Sequence, residues 1–382
     1  MSSASATSRS PSDLDKRLEE ARASGLVELD LARADPARSG LGWEPADLEP
    51  LLALGTPAGP PSPLDLTTAR DAVASYLAGH TVSMPPDHVF FAPSREVALQ
   101  LAVDATCGDD GEVLVPSPAL HDARLAPPHR APHAYALVFG GAWALDRRSL
   151  VRALSSHPKA IAAGNPADPT GAILVHEDLE FLEKLCAERD IALVGDEGTL
   201  DTVSNEGVSV ARATRCLSVH VSGLAGVCGL PGAGAEWVAV AGPPALVERA
   251  TSRLRSLVRS APPPSAAGIR ALPALLARRE KYLDALRARL AQNRAALATA
   301  SLREAPWTLQ WGRGGLWAVL QINDFIDSSQ LCLDLLADRV AVRPGPPEGL
   351  PGAGFLVVSL VADPRAFATG LARLEARLRQ PV

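Results

Sequence analysis

Asn165-Pro-Ala-Asp-Pro-Thr-Gly171, followed by Ile191-Ala-Leu-Val-Gly-Asp-Glu197, decides how this chain folds. The apolar run Ala160–Ala163 leads into the first stretch, whose two prolines and glycine enforce a turn. Between the two stretches, His176–Arg189 places Leu179, Leu182 and Leu185 on one helical face. The second stretch is a buried-strand run that ends on two carboxylates, Asp196 and Glu197. Strand, turn, helix and strand in this order make a βαβ unit. Similar short runs recur at Glu112–Pro116, Tyr135–Phe139, Leu217–Val221 and Trp237–Ala241. Such alternation predicts an α/β fold with a doubly wound, mostly parallel sheet.

Outward from this centre, Pro244–Arg259 and Leu272–Ala300 read as long helices. A smaller α+β unit follows: strand Gly315–Ile322, helix Ser328–Asp338, strands Val340–Arg343 and Phe355–Val361, and helix Pro364–Arg379. Toward the N-terminus, Ser12 caps a helix beginning at Asp13, and Thr67–Leu77 has helical spacing. Gly25–Leu64 reads as irregular, with a short helix near Pro45–Leu54. The expected organisation is a disordered N-terminus over 1–12, a large domain over 60–270, and a small domain built from 13–59 and 280–382.

Composition narrows the function classes. The 382 residues are 47% apolar and carry a net charge of −6, so no basic footprint for nucleic acid exists. No run of 18 apolar residues and no signal-peptide core occur, which predicts a cytoplasmic protein without a membrane span. Cys107, Cys186, Cys216, Cys228 and Cys332 form no CxxC pair, so neither a zinc ribbon nor a metal site is expected. Of 37 basic residues only Lys16, Lys159, Lys184 and Lys281 are lysines, and any lysine-dependent chemistry must use one of these four.

The Asn165–Gly171 turn resembles that of the fold-type I pyridoxal-phosphate enzymes, specifically the class I/II aminotransferases. Further landmarks follow in order: Ile191–Glu197, Gly229-Leu-Pro-Gly232, Gly314-Gly-Leu-Trp317, Val342-Arg-Pro-Gly345 and Gly354–Val361. Together they cover residues 45–380. The resemblance implies a three-layer large domain with a cofactor cleft, a smaller α+β domain and a homodimer. It also implies a small-molecule substrate.

At the positions that matter chemically the chain departs from the family. The Schiff-base lysine falls on Gly226, and no lysine lies between Lys184 and Lys281. The cofactor-phosphate arginine falls on Gly234, the ring-contacting tyrosine on Thr199, and the carboxylate-clamping arginine on Val357. In the phosphate turn Ala92-Pro-Ser-Arg-Glu96, Pro93 removes an N–H that would face the anion. The stacking aromatic near Ser117–His121 is absent. Asn165 and Asp196 survive.

These departures lead to the expectation of a scaffold that has lost pyridoxal chemistry, binds no cofactor, and works by acid–base catalysis on a small polar metabolite. Cyclisation, dehydration, isomerisation or condensation would suit it. Asp196 at a strand end is the candidate proton-transfer carboxylate, with Glu197 beside it. His220, a natural general base, and Ser222 share a strand face and are expected to look into the same pocket. Asn165, Ser94, Arg95, His121, Arg124, Thr199 and Gly226 are the candidate pocket residues. Arg95, Arg124 and Arg343 are candidates for holding an anionic group. The alternatives are a non-catalytic binding or regulatory subunit, pairing with an active homologue, and a pyridoxal-phosphate aminotransferase.

Overall fold

The computed structural model describes residues 13–48, 59–108, 111–119, 133–203 and 206–380. The expected disorder over 1–12 and most of the helix near Pro45–Leu54 lie outside these residues; Pro45–Leu48 is helical. Among the described residues no helix is long and apolar enough to cross a membrane.

Eight strands form the central sheet: β2 (Val89–Ala92), β3 (Val113–Ser117), β4 (His133–Phe139), β5 (Trp143–Leu145), β6 (Ala160–Gly164), β7 (Ala192–Asp196), β8 (Ser218–Gly223) and β9 (Glu236–Ala241). Their order is β2-β9-β8-β7-β6-β3-β4-β5. The inner pairs β4–β3–β6–β7–β8 are parallel, and β9, β2 and β5 add antiparallel edges. β7 and β8 are buried at every residue, which is why they read as continuous runs rather than alternating ones. Two short strands, β2 and β5, escape sequence recognition, because runs of four and three residues carry too little periodicity.

Helices cover both faces. On one face α3 (Arg95–Cys107) and α7 (Pro244–Ser260) pack Leu99, Ala102, Val247 and Leu254 against Val194, Val219, Val221 and Val240. On the other, α5 (His176–Arg189) sets Leu179, Leu182 and Cys186 against Ile161 and Leu193. Burying each such leucine contributes roughly 1.5–3 kcal/mol. Removing α5's stripe would uncover that face.

α8 (Ala266–Ser301) runs for 36 residues toward a second, antiparallel sheet of order β10-β11-β14-β13 (Thr308–Gln310, Trp317–Gln321, Phe355–Ser359, Arg343–Pro344). The run expected as one strand, Val340–Arg343, is two. Val340–Ala341 (β12) pairs in parallel with β1 (Leu29–Asp30), and Arg343–Pro344 turns to join β14. The sheets meet at the Asn165–Gly171 turn. The Gly171 carbonyl accepts from Arg313 and Gly314 N–H at 2.9 and 3.0 Å. Gly171 has φ +66°, and a Cβ there would lie 2.5 Å from the Gly314 carbonyl. Only glycine allows this approach.

Candidate active site

Asp196 ends β7 with its side chain on the α3 face, because it pairs in register with Val221, and Val221 packs against α3 and α7. Ser94 caps α3 by accepting from Val97 N–H at 3.3 Å, and the next residue, Arg95, reaches back to the strand end. Arg95 Nε lies 3.0 and 2.9 Å from the two Asp196 carboxylate oxygens, and Nη2 closes a further short hydrogen bond. This bidentate fork is the strong form of a carboxylate–guanidinium contact. Asp196 is 1% exposed, whereas the Arg95 side chain is 37% exposed, so solvent reaches the pair from the arginine side. Burial would weaken the guanidinium's hold on its proton, but Asp196, Asp168 and Glu236 together raise its pKa. The role expected of Asp196 as a proton-transfer group is therefore corrected: both its oxygens already accept from Arg95.

Two further carboxylates, Asp168 and Glu236, act on this pair, and a third, Glu348, acts on Asp168; sequence reasoning missed all three. Glu236 heads β9, is 3% exposed, and accepts from Ala225 N–H at 3.1 Å. Burial pushes its pKa up to about 7. Asp168, inside the Asn165–Gly171 turn, has Oδ1 shielded from solvent and without a hydrogen-bond partner among the described residues. Burial carries its pKa to about 6, with Arg95 opposing and Asp196 and Glu348 reinforcing the rise. Glu348 accepts from Arg343 at 3.1 and 2.6 Å through Oε1, while its buried Oε2 has no partner among the described residues. A lone acidic residue in an otherwise apolar or prolyl segment is the signal that could have pointed to Glu236 and Glu348.

The expectation that His220 and Ser222 share a pocket with Asp196 is also corrected. Register sets His220 beside Gly195, on the sheet face opposite Asp196, and Ser222 follows on that same face. There Glu197 gathers a closed network. His220 Nδ1 lies 2.6 Å from its Oε2, Ser209 Oγ donates to the same oxygen, and Asn165 Nδ2 and Val210 N–H each donate to Oε1 at 2.8 Å. Asn165 also donates to the Val208 carbonyl and accepts from Leu174 N–H, so both its amide protons and its side-chain oxygen tie the turn to the sheet. Burial would raise the Glu197 pKa, but His220, Ser209 and Asn165 hold it below the usual value. Glu197, His220, Ser222 and Asn165 are all at most 2% exposed and do not reach the cleft. Buried polar atoms of this kind persist because they are paired, although His220 Nε2 and Ser222 Oγ lack partners among the described residues.

Of the remaining candidates, Thr199 is half-buried at the start of a helical turn, where its carbonyl accepts from Thr202. Gly226 lies in α6 (Leu224–Val227), and a Cβ there would stand 1.8 Å from the Gly198 carbonyl oxygen. Gly234 has φ +64°, and Val357 is fully buried in β14. His121 and Arg124 lie outside the described residues. Arg95 and Arg343, offered as anion-holding cations, are each already paired with a carboxylate.

The aminotransferase class I and II model matches residues 58–364, so the chain belongs to that family. Alanine aminotransferase 1 of Bos taurus is 29% identical over 223 residues, covering 51% of this chain and 44% of its own length. This chain therefore spans less than half of that relative. A putative aminotransferase of Bacillus subtilis, YugH, is 24% identical over 325 residues, with 81% of each chain covered. Solved structures share the fold. An aminotransferase from Escherichia coli superposes with a TM-score of 0.82 at 17% identity, covering 99% of this chain and 98% of its own. Tyrosine aminotransferase from Leishmania infantum gives 0.81 at 18%, covering 96% and 97%.

These findings correct two expectations, cofactor-independent acid–base catalysis and the absence of a cofactor. The matched aminotransferase family and the relatives bearing aminotransferase names overturn both. The residues present do not fit the usual anchorage of pyridoxal phosphate. Gly226 offers neither an amine nor space for a side chain, and Arg95 occupies both oxygens of the carboxylate that pairs with the cofactor ring in the resemblance. All four lysines are exposed on the surface.

Proposed function

We propose that the cleft over Asp196 is the site where this chain handles a small metabolite, and that its reaction class is that of its family, amino-group transfer with pyridoxal phosphate. The observation that carries this reading is the family match over residues 58–364, supported by relatives named as alanine, tyrosine and aspartate aminotransferases. Family members act on small molecules as homodimers, and we infer the same for this chain, in the cytoplasm. The Arg95–Asp196 pair and the blocked Gly226 position favour a second reading, a subunit that binds a ligand in the cleft without turning it over.

One experiment separates the two. The purified chain is incubated with pyridoxal phosphate and passed through gel filtration. It is then assayed for transfer of a 15N-labelled amino group to 2-oxoglutarate. Label transfer above the rate of free cofactor supports the family reaction. Ligand retained without transfer supports the binding reading and overturns the first.

A further inference from the structure

The N-terminal segment folds against α8 without filling the space between them. The turn Ala37–Leu41 and the residues just after it leave a cavity of about 240 Å³, whose lining includes Gly40, Trp43, Glu44, Lys281 and Tyr282. That volume lies just under the range of ordinary small-molecule sites, so it suits an occupant of few heavy atoms. The cavity is separate from the Asp196 cleft, and none of its lining residues takes part in the contacts made there.

Two aromatic side chains of the lining are fixed by one turn. Trp43 Nε1 donates to the Cys228 carbonyl at 2.7 Å, and Tyr282 lies against the next residue, where a Cβ on Gly229 would stand 2.5 Å from its ring. The indole N–H is Trp43's sole polar group, so with that proton committed it offers the cavity only its apolar ring. Tyr282 is 5% exposed, and its hydroxyl makes no hydrogen bond among the described residues. Burial holds its pKa above the usual tyrosine value, so the hydroxyl keeps its proton and is a donor in search of an acceptor.

The charges of the lining leave one negative group over. Lys281 pairs with Asp47, which spends its charge. Glu44 has neither an ion pair nor a side-chain hydrogen bond among the described residues. Aromatic rings attract cations through their quadrupole, and quaternary ammonium ligands are recognised in this way. Such a cation has no N–H to satisfy, so rings and one carboxylate are sufficient for it.

We propose that this cavity binds a small quaternary ammonium alcohol, its cationic head beside Trp43, Tyr282 and Glu44 and its hydroxyl accepting from Tyr282. The site is additional to the reaction assigned to the Asp196 cleft and stands or falls independently of it.

The test is calorimetric titration of the full chain at low ionic strength with choline, with tetramethylammonium, and with the uncharged choline analogue in which carbon replaces nitrogen. Choline is expected to bind, and the uncharged analogue to bind roughly 10-fold less tightly. Trp43→Leu should weaken choline roughly 2- to 30-fold, and Glu44→Gln about 2- to 5-fold, the size of a solvent-exposed ion pair. Tyr282→Phe should weaken choline about 2- to 12-fold and leave tetramethylammonium, which has no hydroxyl, unchanged. Unfolding temperature and circular dichroism establish that each variant is folded, and the exposed position of Glu44 keeps Glu44→Gln available should an aromatic variant fail to fold. Absence of choline binding, equal binding of the uncharged analogue, or choline binding unchanged in the folded Trp43 and Glu44 variants overturns the proposal. An equal loss of both cations in Tyr282→Phe overturns the hydroxyl contact.

Discussion

Replacing Arg95 by methionine isolates the contact on which the cleft is built. Methionine keeps much of the arginine's apolar stem and removes the fork that satisfies Asp196. Breaking a buried ion pair from one side costs about 3–5 kcal/mol, because the remaining charge stays buried and unpaired. Asp196 is 1% exposed and fits that description, but Arg95 is 37% exposed, so water reaches part of the contact and screens it. The expected cost is therefore about 2–3 kcal/mol. For 382 residues, an unfolding entropy of about 2.1 cal/mol/K per residue gives about 0.8 kcal/mol/K, so Tm should fall by about 3 °C. The companion variant Asp196→Asn removes the orphaned charge. The double variant Arg95→Met/Asp196→Asn should return to within about 1 kcal/mol of the parent, a coupling that urea unfolding of the four proteins measures. If Arg95→Met unfolds like the parent, or the double variant is no more stable than the single, the pair is not what holds this carboxylate.

Gly226→Ala places a methyl where the Gly198 carbonyl oxygen is 1.8 Å away, and should cost about 3 kcal/mol or more by forcing α6 off the loop. Gly226→Lys should for the same reason lower Tm rather than yield an imine absorbance with pyridoxal phosphate; an unchanged Tm would show the loop yields freely. Glu197→Gln removes the charge that gathers the hydrogen bonds of His220, Ser209, Asn165 and Val210 and should destabilise the chain by about 1.5–3 kcal/mol near neutral pH, the range for a hydrogen bond to a charged group. The pH dependence has a definite sign. Glu197's folded pKa lies below its unfolded value of about 4.3, so its stabilisation is complete above that value and is lost as pH falls through the folded pKa. Urea midpoints of parent and variant should therefore converge as the pH falls below the unfolded value, and curves that stay parallel would refute the assignment.

Much of the architecture was legible along the chain. Strand β7 and helix α5 show themselves by an apolar run and a leucine stripe, both local properties of the backbone period. Arg95 is expected from the sequence as an anion receptor and stands in the structure as the partner of Asp196, because a residue 101 positions away carries no local signal. His220 was misplaced for a different reason. Alternation shows that His220 and Ser222 share a face but not which face, and only the pairing of His220 with Gly195 settles that.

The order of elements, the family turn and the absence of an amine at Gly226 follow from the chain alone, since each is a matter of residue identity at neighbouring positions. Where the charges end up follows from packing. Arg95 folds onto Asp196, Glu197 is drawn into a closed network on the far face, and Glu236 and Asp168, from a strand end and a turn, both come within electrostatic reach of the Arg95–Asp196 pair. Electrostatic fate depends on distance and burial, and those exist only once segments remote in the chain are packed together.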